Sequence, residues 1–123
     1  MVAEVSFCKL YQGQKLFSDV ETLLRRHGFA FYGFSDPHYR SKSSFDKRSS
    51  WSRERIIQAD AVFLRDPLGG DPGAGQSLSP RRRAILFTVA MMLEYFDLAF
   101  ELAQEFWPDN DGLQSLVKDF ASL

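Results

Sequence analysis

The residues best equipped for chemistry sit in Ser35–Arg40, SDPHYR, where Asp36, His38, Tyr39 and Arg40 place a carboxylate, an imidazole, a phenol and a guanidinium within five positions. Such a set can line a mouth for a polar or anionic acceptor through hydrogen bonds and charge, although most lone loop histidines such as His38 do nothing measurable. Tyr11, at the end of the first apolar run, joins them as a candidate for the substrate side. No catalytic residue follows from this. The chain has no metal-ligand spacing, no serine, histidine and acid set with a nucleophile turn, and no carboxylate pair in a credible pocket. Gly70 to Ser77, GDPGAGQS, matches the phosphate-binding loop pattern except that Gln76 stands where the lysine belongs, so its glycines read as flexibility. DNDG at Asp109 to Gly112 reads as a turn, because Trp107 occupies the place where a calcium loop needs its first acidic ligand.

The elements that must position these residues are read from periodicity. Val5 to Tyr11 is a short, mostly apolar run ending at Gln12 and Gly13, as in a strand buried on both faces of a parallel sheet. Leu16, Phe17, Val20, Leu23 and Leu24 then recur at helical spacing, with Ser18 and Glu21 as a possible capping box. Arg25, Arg26 and His27 complement the last carbonyls, and Gly28 supplies the left-handed residue that closes a helix. Phe29 to Phe34 is an aromatic-rich strand, and two strands joined by a helix of this length run parallel with a right-handed crossover. Loops after the ends of parallel strands form the ligand crevice, which is what makes Asp36, His38, Tyr39 and Arg40 candidates for a substrate mouth. Ser35 to Arg55 reads as a loop, and Ala59 to Arg65 as a strand held between two others.

Glu4 to Phe34 and Gln58 to Asp66, with their LY-x-GQ turn, LFSDV helix start, HGF before the second strand and QADAVFLRD strand, resemble the C-terminal third of FkbM-type S-adenosylmethionine-dependent methyltransferases. The resemblance implies an α/β fold, namely the C-terminal strand-helix-strand-strand portion of a Rossmann-like methyltransferase sheet. Glu4 to Tyr11 would be its fifth strand and Phe29 to Phe34 its sixth, with Ala59 to Arg65 the antiparallel seventh inserted between them. It also implies methyl transfer, typically to oxygen, in the full-length family. The family's glycine-containing loop and its acidic ribose-binding position have no counterpart here, so no cofactor is expected to be bound by this chain. Its Val5 to Tyr11 edge would then pair with a second copy or with a methyltransferase N-terminal half, be covered by the C-terminal hairpin, or aggregate.

Leu68 to Ser79 is rich in glycine and proline and marks a linker between residues 1–66 and a helical extension at residues 80–123. Ser79 and Pro80 start a helix that, lacking glycine and proline from Ala84 to Trp107, is expected to run unbroken until Pro108. Leu86, Leu93 and Phe100 are its expected packing residues, on the sheet or on its equivalent in a second chain. Leu113, Leu116, Val117 and Phe120 make a short second helix, giving a hairpin. FDLAFELAQEFWPDND resembles the second helix of a tetratricopeptide repeat, but one copy makes no solenoid. Glu94 and Asp97 interrupt the apolar run, so no transmembrane segment is expected.

With 123 residues, 45% of them hydrophobic, the chain can bury one modest core plus an appendage. Fifteen basic against sixteen acidic residues remove a whole-chain electrostatic case for nucleic acid. Between His38 and Arg55, however, six cations face two anions, with Tyr39, Phe45 and Trp51 interleaved. A single-stranded nucleic-acid binder would use that pattern, but a solvated loop between strands explains it without a ligand. The single cysteine, Cys8, reads as a small buried apolar residue. Met1 leads directly into strand-like sequence with no basic or apolar leader, which makes the cytoplasm the expected compartment. A non-catalytic interaction module is the alternative to a methyltransferase segment.

Overall fold

The computed structural model describes residues 1–39, 55–69 and 78–123. It is mixed α/β, with a three-stranded antiparallel sheet and four helices in the order β1 (Val2–Ser6), α1 (Phe17–Arg26), β2 (Ala30–Tyr39), β3 (Ile56–Leu64), α2 (Pro80–Met92), α3 (Phe96–Phe106) and α4 (Asp111–Ala121). The elements form two compact units, β1 to β3 with α1 and α2 to α4.

In the first unit the strand order is β1-β3-β2, with β3 antiparallel to both neighbours. β1 and β2 therefore run in the same direction without touching, as a strand-helix-strand crossover with a third strand inserted. This is the order expected from sequence. The extent of β1 is not: the strand covers Val2–Ser6, Phe7 keeps one bond to β3, and Cys8 to Tyr11 leave the sheet. The side chain of Gln14 accounts for the departure. Its Oε1 accepts the Leu10 N–H at 2.7 Å and its Nε2 donates to Ser6 Oγ at 2.8 Å, so the chain turns where the apolar run predicts more strand. Gly13 permits the turn with φ 79°. Nor is this sheet parallel.

α1 begins one residue after Leu16, whose N–H is taken by Asp19 Oδ2 at 2.9 Å; Ser18 and Glu21 do not cap it. Glu21 instead accepts from Arg25 Nε at 2.8 Å, one turn on. The helix ends as the sequence predicts. Gly28, at φ 80°, lets its own N–H reach the Arg25 carbonyl and that of Phe29 reach Leu24, both at 3.0 Å. The amphipathic face of α1 lies on one face of the sheet, where Val5, Leu24, Ala61 and Phe63 are buried with Phe7, Phe17, Val20 and Phe31 packed around them. A register shift between Phe31 and Gly33 opposite Val62 turns Phe31 and Phe34 to the same side. Both then pack edge-on against Phe17, with centroids 5.1 and 5.3 Å away.

In the second unit Ser79 caps α2 by accepting from the Arg82 N–H, and Pro80 takes the first helical position, as predicted. The single long helix does not form. It breaks at Leu93 to Tyr95, where Glu94 adopts φ 62° and the Tyr95 N–H closes on the Ala90 carbonyl at 2.9 Å. Neither glycine nor proline marks this break. Folding back lets α3 bury Leu98, Ala99, Leu102 and Ala103 on one stripe, while Leu86 and Ala90 of α2 and Val117 of α4 are also buried. α3 packs on both α2 and α4. Arg83 near the start of α2 lies over the Phe106 ring near the end of α3 at 4.5 Å, so these helices are antiparallel. The predicted hairpin is thus two hairpins sharing α3. Leu93, expected in the packing, is a cap residue 39% exposed. Asn110 opens α4 by accepting the Leu113 N–H at 3.0 Å.

Candidate functional site

Because β1 and β2 run the same way on either side of β3, their ends lie at one end of the sheet. Ser6 and His38 both stand in register with Gln58 of β3, and Tyr39 with Ile56. The loop that carries Tyr11 leaves β1 at this end, just beyond the bond from Phe7 N–H to the Ile57 carbonyl at 2.9 Å. Of the expected substrate-side residues, Asp36, His38 and Tyr39 therefore stand at the sheet end from which the loop carrying Tyr11 departs, but not in the loop predicted for them. β2 continues to Tyr39, so Asp36, His38 and Tyr39 belong to a strand. The cause is β3, whose Ile56 and Gln58 extend the ladder beyond Phe34. Arg40, Phe45, Trp51 and the phosphate-loop-like Gly70 to Ser77 lie outside the described residues.

The added strand length is irregular. The register shifts between Ser35 and His38, and Asp36 in that bulge has φ 47°, a left-handed conformation that an aspartate tolerates better than most residues. The bulge brings His38 Nε2 within 3.6 Å of Asp36 Oδ2. Both side chains are exposed, so water screens the pair. Tyr11 is 67% exposed, and its carbonyl accepts the Gln14 N–H at 3.4 Å. Among the described residues no cluster of three metal-ligating groups occurs.

Sequence reasoning missed the polar residues of the strands themselves. Glu4 and Asp60 are paired in register, as are Ser6 and Gln58, and all four lie on the sheet face opposite Val5, Ala61 and Phe63. Gln58 Nε2 donates to Glu4 Oε1 at 2.8 Å, tying β1 to β3 on that face. Alternation against Ala59, Ala61 and Phe63 is the signal that would have found them. Of these, Ser6 and Gln58 share the sheet end with His38, while Asp60 stands in register with Ser35. No family model, curated protein or solved structure matches this chain.

Proposed function

We propose that the chain is the C-terminal segment of an FkbM-like methyltransferase, a family that transfers a methyl group from S-adenosylmethionine to an acceptor oxygen. In this reading residues 1–66 form the last part of a Rossmann-like sheet and supply the substrate-side wall, with Asp36, His38 and Tyr39 facing the acceptor. The observation that carries it is the strand order β1-β3-β2, with an antiparallel strand inserted between two that share a direction. The motifs behind the resemblance fall at structurally decisive places: LY-x-GQ is the turn held by Gln14, HGF closes α1, and ADAVFL is the central strand.

In this reading the chain alone does not hold the cofactor, because the family's glycine-containing loop and acidic ribose-binding position have no counterpart in its sequence. The cofactor-binding half belongs on the open side of β1, and the catalytic machinery with it. Calorimetric titration of the chain with S-adenosylmethionine should give no binding tighter than about 100 µM, equivalent to about 5.5 kcal/mol. A chain extended by the in-frame sequence encoded upstream should bind it. Tight binding by residues 1–123 alone, or an upstream sequence without a glycine-containing strand-to-helix loop, would overturn the reading. The alternative, a non-catalytic interaction module, is favoured by one feature of the helical unit, the groove between α3 and α4.

A further inference from the structure

We propose that the groove between α3 and α4 is a docking site for a basic amphipathic helix of another protein, one carrying lysine or arginine four residues apart beside an apolar side chain. The groove has a volume of about 520 Å³, with Phe96, Phe100 and Val117 as apolar lining, Asp97 and Glu101 as acidic lining and Lys118 as its one basic residue. The inference deepens the interaction-module reading of residues 80–123 and is independent of the methyltransferase reading of residues 1–66.

Charge decides the kind of partner. From Phe96 to Leu123 there are six carboxylates and one lysine. Three of the carboxylates, Asp97, Glu101 and Glu105, follow one another at intervals of four on α3, a spacing at which like charges sit about 6 Å apart and repel. Among the described residues none of the three forms an ion pair. A helix that keeps such a ladder gives up stability that alternating charges would restore, and a ligand with cations at the same interval would relieve the repulsion. The groove already accommodates one ammonium: Lys118 Nζ lies 5.0 Å from the centre of the Phe100 ring. A helix laid along α3 would set two cations against Asp97 and Glu101, and an apolar residue beside Phe96 and Phe100.

The occupant is not a second copy of this chain. Among the described residues, its helices carry cations only as Arg25 and Arg26 on α1, Arg81 to Arg83 on α2, and Lys118 on α4, so none of these presents two cations four residues apart.

The test uses the full chain and two synthetic amphipathic helices of about 18 residues, long enough to fold on contact, one with lysines at every fourth position beside leucines and one with glutamates in their place. The lysine peptide should bind with a dissociation constant on the order of 10–100 µM, and the glutamate peptide should not bind. Amide resonances of Phe96 to Glu101 and Val117 to Ala121 should move. Glu101→Lys should weaken binding at least tenfold, roughly what loss and reversal of a close charge pair costs. That variant gains opposite-charge neighbours at Asp97 and Glu105, so its helix should be more stable than the parent, and its loss of binding cannot be unfolding. Asp109→Lys makes the same charge change in the turn after α3, away from the groove lining, and should alter binding by no more than about twofold. Equal loss in both variants, shifts centred elsewhere, equal binding of both peptides, or no saturation by about 1 mM would overturn the proposal.

Discussion

Glu94 has the least expected backbone in the described chain. Its φ of 62° belongs to the region that glycine occupies freely and a glutamate enters at a cost of roughly 1–2 kcal/mol. Closure of α2 by the Tyr95 N–H holds it there. Glu94→Gly removes the strain and adds unfolded-state entropy worth about 0.5–1 kcal/mol, so the variant should be more stable by roughly 0.5–1 kcal/mol. A rise in the urea midpoint with unchanged slope is the expected result, and a fall would mean that α2 and α3 are one continuous helix. Gln14 represents the opposite case, an ordinary residue made structural by its partners, since it satisfies both the buried Ser6 hydroxyl and the Leu10 amide.

Among the elements, β1 determines how the first unit meets anything else. It pairs with β3 only, through Met1, Ala3, Val5 and Phe7: Phe63 and Met1 exchange bonds at 2.8 Å, and Phe7 donates to Ile57. Antiparallel alternation then sends the amides of Val2 and Glu4 outward. The edge expected at Val5 to Tyr11, with Lys9 as its charge, is therefore Val2–Ser6 with Glu4. In the monomer the Val2 and Glu4 amides should exchange with solvent far faster than those of Ala3 and Val5. Protection of all four in dilute solution would show the edge to be covered. Protection gained only on adding a cofactor-binding half would support the methyltransferase reading. Two copies paired about Glu4 would place like charges directly opposite, a cost that disfavours that symmetric register.

At the scale of the whole molecule, each unit has its own fully buried side chains, Phe63 in the first and Leu102 in the second, both 0% exposed. Truncating Phe63 to alanine should cost about 3–5 kcal/mol and Leu102 to alanine about 2–5 kcal/mol, large fractions of what units of this size can hold. Amide spectra should lose dispersion in residues 1–39 and 55–66 for Phe63→Ala and in residues 78–123 for Leu102→Ala. Loss of both sets in either variant would show that the chain unfolds as one cooperative body.

What the sequence determined by itself was local. Helical spacing with Gly28 at the end located α1, Ser79 and Pro80 located the start of α2, and the all-apolar run at Ala61 to Leu64 marked a strand between two others. Each depends on propensity, capping or patterning within a few residues. The candidate site was legible only as a set of side-chain types near Asp36 and His38. Their place in a strand was not, because β2 extends only as far as β3, some twenty residues later in the chain, offers it partners. The bulges before Gly33 and His38, the turn that Gln14 imposes on an apolar run and the break at Glu94 are likewise settled by bonds and packing that form only once the elements meet. The α3–α4 groove belongs to this second group: its carboxylates could be counted along the chain, but only the antiparallel packing of α4 sets them beside an apolar cleft.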